Sequence, residues 1–381
     1  MSCGDRGVAL KVLSPTGNNV TVRLITRLII GSRLLTARLS LGRLLPFGAR
    51  LLSLVTRRLV RAGRRARVFP LRPAVLMYHR IALEPVDPWG LAVSPMRFDE
   101  QVQWLSKHRT ILPLAEFARL QREARLPARA VAITFDDGYA CNVKTAAPIL
   151  EAHEAPATFF VTMGPVTTGQ EFWWDELQRI VLDSSVERIQ LTMEPESLLI
   201  ELGERSSSST GWPPWSPASG RRQQAYMRLW HAVRALEPSA QAAALTELRA
   251  QAGIPLAPRE SHRPMTLEEL WALTGSDVVD LGCHTTTHPS LPIQPPSVQR
   301  AEIADGREAC AKIIGQLPAT FAYPFGDYDS SVVDLVRYAG FEAACTTDQR
   351  GVTRNCDVLA LPRLQVMDWS ANELARQLRV L

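Results

Sequence analysis

Carboxylates are nearly missing from the first 83 residues of this 381-residue chain. Asp5 stands alone there against 16 Lys and Arg, a local net charge of +15. The remaining residues carry 27 basic and 37 acidic side chains, a net of −10. The overall +5 and the pI near 9.0 therefore belong to an N-terminal arm. An acidic body excludes the default reading of a nucleic-acid-coating protein, so no nucleic-acid partner is expected. Also missing is any uncharged apolar run of the ~18–20 residues that span a bilayer. No apolar core follows a short basic start, so no secretory signal is expected. None of the six cysteines forms a CxxC pair, and a chain of this size does not need disulfide staples. They read as mostly buried, reduced thiols, which favours a reducing compartment. No internal repeat is visible. Histidine is scarce, with seven in all and none after His288.

What is present begins with a hydrophobic content of 46%, enough for a large core and too much for a disordered chain. Residues 1–72 read as a basic arm. Within it, 22–67 interleave Arg with Leu, Ile and Val. Leu24, Ile25, Leu28 and Ile29 share a helical face, as do Leu51, Leu52 and Val55. Such a segment fits an anionic membrane surface. A helix packed on the body with Arg in solvent, and an Arg-rich targeting segment, are the alternatives. The expected location is cytoplasmic, peripheral at the inner membrane surface.

The body, 73–381, alternates strands and helices. Apolar runs predict strands at 74–78, 130–135, 157–162, 278–283, 320–323, 342–345 and 358–361. Helical spacing predicts helices at 97–108, 115–122, 297–315 and 330–339, with another running to about His153. This alternation argues for a parallel α/β architecture whose chemistry sits at the C-terminal strand ends. From about 170 to 262 the pattern breaks into a mostly helical insertion, with a loop around 206–217 and a helical pair at 222–251. Its Trp173, Trp174 and Trp215 read first as packing and second as a sugar-stacking lid.

Four predicted strand ends concentrate reactive groups. Asp136 and Asp137 follow a buried strand and precede Gly138 and Tyr139. Adjacent carboxylates on an extended chain face different ways, so one can bind a cation while the other stays free as a base. Alone, this pattern also makes ordinary turns. His284 and His288, at i and i+4, can converge on one metal if their turn is helical. With Asp137 they form an Asp-His-His set that leaves positions open, as a catalytic divalent site requires. A pair of hydrogen-bonded loop histidines is the plain alternative. His79, closing the first strand, can serve as acid or base near neutral pH or as a buried supporting histidine. Tyr323, Pro324 and Phe325 suit the wall of a sugar groove, or ordinary loop packing.

Taken together, these segments resemble the polysaccharide deacetylase family (carbohydrate esterase family 4) over about 73–165 and 264–366. The run from Thr134 to Gly138 is similar to the family's first motif, and that from His284 to His288 to its second. The run from Phe321 to Gly326 resembles the third, with Ala322 where the family has Arg. The resemblance implies a distorted (β/α)7 barrel, with Asp136 as catalytic base and Asp137, His284 and His288 as ligands of a divalent cation, expected to be zinc. The family's C-terminal histidine is missing. His79 lies upstream instead, an order that resembles the circularly permuted branch acting on biofilm poly-N-acetylglucosamine, so His79 is assigned as the acid. Arg363 is expected to orient Asp136 in place of the missing Arg. The backbone N–H of Tyr139 is expected to donate to the developing oxyanion. The implied reaction is metal-dependent removal of N-acetyl groups from an N-acetylated glycan, releasing acetate. Hydrolysis of another amide or ester (a formamido sugar, an O-acetyl group, a lipid-linked glycan) and a non-catalytic glycan-binding barrel are the competing readings.

Overall fold

The computed structural model describes residues 71–193, 196–205 and 211–381. The predicted basic arm, 1–72, thus lies outside the described residues except for its last two positions, as does part of the predicted loop at 206–217.

The chain opens on β1 (Ala74–Tyr78), β2 (Arg80–Ile81) and β3 (Ala92–Val93), then α1 (Pro95–His108). Next come β4 (Thr110–Ile111), α2 (Leu114–Arg122), β5 (Ala130–Phe135), α3 (Ala147–Ala152), β6 (Ala157–Val161) and α4 (Met163–Thr168). The insertion supplies α5 (Trp173–Gln178), β7 (Arg188–Met193), β8 (Glu196–Glu201), α6 (Arg221–Arg234) and α7 (Pro238–Ala252). The alternation then resumes with α8 (Leu267–Leu273), β9 (Val279–Cys283), α9 (Pro296–Ile314), β10 (Thr320–Ala322), α10 (Ser330–Tyr338) and β11 (Ala343–Cys345). It closes on β12 (Arg363–Gln365) and α11 (Ala371–Val380).

Seven strands form one parallel sheet in the order β11-β10-β9-β6-β5-β1-β12, with short β4 also on β5. Strands buried on both faces explain why β1, β5 and β6 read as unbroken apolar runs. The two edges of the sheet nearly meet. Leu361 bridges to Cys345 of β11, and two residues later Arg363 pairs with Val75 of β1. The result is the expected distorted seven-stranded barrel with helices around it.

Two expectations are corrected. The last strand is not 358–361. Asp357 accepts from the Leu359 N–H and caps a short 3₁₀ turn, Val358–Ala360, so the strand starts at Arg363. The insertion is also less helical than expected. β7 and β8 form an antiparallel hairpin that places Ile189, Leu191 and Ile200 in a core of their own with Trp212, Tyr226, Leu229 and Leu248. The barrel reaches that core through Tyr139, just past β5 and fully buried.

Among the described residues no helix is long and apolar enough to cross a membrane. None of their cysteines is disulfide-bonded, and Cys283, Cys310 and Cys345 are buried.

Candidate active site

The barrel brings His79, Asp136, Asp137, His284 and His288 to one cavity of about 1000 Å³. His79 follows β1, the Asp pair follows β5, and His284 follows β9. All three strands are parallel, so these groups gather at one end of the barrel.

Asp136 is 2% exposed, and Arg363 is fully buried. The guanidinium donates to both carboxylate oxygens, from Nη1 to Oδ1 and from Nη2 to Oδ2, at 2.7 Å each. Its Nε donates to the Thr346 carbonyl at 2.8 Å, and Nη1 also reaches Thr134 Oγ1 at 3.2 Å. This is the two-pronged geometry that arginine supplies and lysine does not. Burial alone would raise the Asp136 carboxyl, but Arg363, with His284 adding to it, outweighs burial and holds it well below the usual range.

Asp137 turns the other way because its backbone is left-handed, at φ 75°. Gly138 follows at φ 95°, where a Cβ would meet Val161 Cγ1 at 3.2 Å. The Asp137 carboxylate accepts no hydrogen bond among the described residues. It lies 3.6 Å from His284 Nε2 and 3.5 Å from His288 Nε2. Burial, followed by the Asp136 charge, pushes it well above its ordinary value.

The turn carrying the two histidines is not helical, which corrects the expected geometry. Thr285 and His288 are both left-handed, at φ 63° each, a conformation that non-glycine residues adopt at a cost of order 1–3 kcal/mol and that clusters at functional sites. Glu302 of α9 holds the turn by accepting from the Thr286 and Thr287 N–H groups at 2.9 and 2.8 Å and from Thr287 Oγ1 at 2.6 Å. Thr285 Oγ1 accepts from the His288 N–H at 3.0 Å. Gly306 lets α9 approach closely, since a Cβ there would sit 2.9 Å from the Thr285 carbonyl carbon.

The three residues fit a cation. Their donor atoms lie within 4.8 Å of one another. His284 Nδ1 donates to the Ala322 carbonyl at 2.7 Å, which leaves Nε2 with its lone pair facing His288 Nε2 at 3.1 Å. Burial lowers both imidazoles, and for His288 the neighbouring His284 lowers it further. Neutral rings and an unpaired carboxylate aimed at one point are what a divalent ion requires.

His79 is partly accessible and lines the same cavity. Burial pushes its imidazole down to about 4, against the pull of Asp136, so it rests neutral at pH 7. Of the expected sugar-facing residues only Phe325 lines the cavity, held at φ 58°. Tyr323 is buried and donates to the Leu359 carbonyl at 2.8 Å, and Pro324 is buried beside it. The Tyr139 side chain is likewise turned away, into the insertion core, where its hydroxyl donates to Asp175 Oδ2 at 2.7 Å. Its backbone N–H donates to no acceptor among the described residues.

Sequence reasoning missed most of the aromatic lining. Trp174 and Trp215 line the cavity, but so do Trp89, Trp230 and Trp369, whereas Trp173 is buried. Their separation along the chain left no local signal. Asp175 was also missed, because its partners Tyr139 and Arg80 belong to distant segments.

A family model described as polysaccharide deacetylase matches residues 123–187 and 260–344, the first segment running into the start of the insertion. A poly-beta-1,6-N-acetyl-D-glucosamine N-deacetylase of Staphylococcus aureus is 37% identical over 76 residues, 20% of this chain and 26% of the relative. The match thus spans about a quarter of that relative's length. Among solved structures, the Streptococcus pyogenes deacetylase PplD in complex with acetate superposes with a TM-score of 0.53 at 20% identity, covering 81% of this chain and 99% of that one. IcaB from Ammonifex degensii gives 0.50 at 18% identity, covering 81% and 97%. These structures share the barrel fold with this chain. Together with the family match, they make this chain similar to the polysaccharide deacetylase family through its barrel.

Proposed function

We propose that the chain is a metal-dependent hydrolase that removes N-acetyl groups from an N-acetylated sugar or polysaccharide and releases acetate. One observation carries this reading. The Asp137, His284 and His288 donors converge in the same cavity as a second carboxylate, Asp136, which is held ionised by a bidentate arginine. The name of the Staphylococcus aureus relative supports N-acetylglucosamine as the sugar.

Asp137, His284 and His288 would hold the cation, and their nitrogen and oxygen donors suit zinc. When bound, such an ion would act as a Lewis acid that polarises the acyl carbonyl. Asp136 stays anionic at neutral pH and accepts a proton from the attacking water, while Arg363 fixes the direction of its free lone pairs. The Tyr139 N–H donates to the acyl oxygen as negative charge develops there. A C–O bond forms, the C–N bond breaks, and His79 delivers a proton to the departing sugar nitrogen. Because His79 rests neutral, it takes that proton from solvent as negative charge grows beside it, and Asp136 returns the water's proton to solvent as acetate leaves. The aromatic walls exclude water and offer faces to sugar rings.

The basic stretch at 22–67 supports attachment to an anionic membrane surface, and with it a location at the inner face of a membrane. Sedimentation with vesicles containing anionic lipid, comparing the full chain with residues 71–381, tests this; equal pelleting of the two at low salt rejects it.

The deciding experiment measures acetate release from a panel of N-acetylated glycans, with and without chelator. Release that chelator abolishes and added zinc restores is expected. No release from any glycan, or release indifferent to chelator, overturns the reading.

A further inference from the structure

The two histidines of the candidate metal site are held in different ways. His284 is fixed by a hydrogen bond, Nδ1 to the Ala322 carbonyl. His288 has no such tether, since its Nδ1 is buried without a hydrogen-bond partner. A metal-ligating imidazole whose far nitrogen is not hydrogen-bonded lacks the usual device that sets ring orientation.

Its place is taken by two aromatic rings. Trp174 lies 4.7 Å from the His288 ring, centroid to centroid, and Phe325 lies 4.5 Å away, near-perpendicular to it at 79°. Trp174 is itself pinned: its Nε1 donates to the Tyr139 hydroxyl at 2.9 Å, and that hydroxyl donates to Asp175 at 2.7 Å. Asp175 and Tyr139 are both almost fully buried, so the chain of bonds is shielded from water and geometrically firm. Trp174 and Asp175 sit at the start of α5, in the insertion, while Tyr139 comes from the barrel two residues after Asp137.

We infer that Trp174, locked by Tyr139 and Asp175, is a positioning residue that sets the His288 ring for metal binding, and that the insertion is in this way part of the metal site. The inference rests on the proposed metal-binding reading. It assigns Tyr139 a role through its side chain that differs from contact with sugar.

Metal affinity tests it directly. Metal-free full-length protein is titrated with Zn²⁺ against a chromophoric chelator, and with Co²⁺ to record the visible spectrum of the bound ion. Trp174→Leu is expected to weaken binding about 10- to 100-fold, the loss typical when the support of a ligating histidine is removed, and to alter the Co²⁺ spectrum. Trp174→Phe, which restores a ring, is expected to recover much of the affinity. Tyr139→Phe keeps the buried ring and removes only the hydroxyl; it is expected to weaken binding severalfold and provides the reading if Trp174→Leu does not fold. Trp271→Ala, on an exposed side chain, is the control and leaves affinity unchanged. Wild-type affinity and an unchanged Co²⁺ spectrum in both Trp174→Leu and Tyr139→Phe overturn the inference while leaving the metal site standing. Failure of the wild type to bind either ion overturns the metal-binding reading itself.

Discussion

Arg363 and Asp136 are joined by two hydrogen bonds of 2.7 Å, although 227 residues separate them in sequence. The pair lies inside the barrel, with the Arg363 guanidinium 5.7 Å from the Phe160 ring centroid. Removing one member leaves the other charged, buried and alone, which costs about 3–5 kcal/mol. Arg363→Met should therefore lower stability by that order in denaturant melts at pH 7, and Asp136→Asn with Arg363→Met should recover part of it. Because the Asp136 carboxyl is depressed in the folded state, its contribution is complete above its unfolded value. It is lost as pH falls through the lower folded value. The gap in stability between wild type and Asp136→Asn should accordingly narrow on strong acidification. A gap that does not move with pH contradicts the pairing.

The two adjacent carboxylates should separate cleanly in function. Asp137→Ala should abolish divalent metal binding, as read by equilibrium dialysis and metal analysis. Asp136→Asn should keep the metal and lose turnover by at least about 100-fold, the range expected for loss of a general base. Wild-type acetate release from Asp136→Asn would show that Asp136 is not the base.

His79 should govern the alkaline side of the rate profile. His79 rests neutral and must take up a proton during the reaction, which becomes harder as pH rises, so activity that depends on it falls on that side. His79→Ala should lower kcat by about 100- to 10,000-fold and flatten that limb. An unchanged kcat removes His79 from the mechanism.

Gly306 offers a test from behind the site. A methyl group there meets the Thr285 backbone at 2.9 Å, and that backbone carries both histidines. Gly306→Ala should cost about 1–3 kcal/mol of stability, as overpacking does, and weaken metal binding. Gly275→Ala, whose Cβ would meet nothing nearer than 3.8 Å, should leave both untouched. Equal behaviour of the two variants refutes the close-approach account.

Much of the barrel was legible because its strands are buried on both faces. β1, β5 and β6 are continuous apolar runs that end where the reactive residues begin. The chemistry of Asp136, Asp137, His284 and His288 was legible for the same reason: each follows a strand whose direction the alternation had set. Orientation was not. Tyr139, Tyr323 and Phe325 are all aromatic and all follow strands, yet only Phe325 lines the cavity, owing to a left-handed backbone that no composition signals. The hairpin at 188–201 did carry a period-2 signal in Ile189 and Leu191, which the helical segments around it masked. The last strand was misplaced by a few residues because Asp357 caps a turn within an apolar stretch that otherwise reads as extended.

The seam at 361–363 ties completion of the site to the order of synthesis. Leu361 docks on β11 and Arg363 on β1, so the step that closes the ring of strands also delivers the only counter-charge bound to Asp136 among the described residues. A growing chain holds both carboxylates and both histidines by residue 288, yet the base gains its partner only when residue 363 arrives. Without that partner, burial favours the protonated, inert form of Asp136. Activity should thus require the closed barrel.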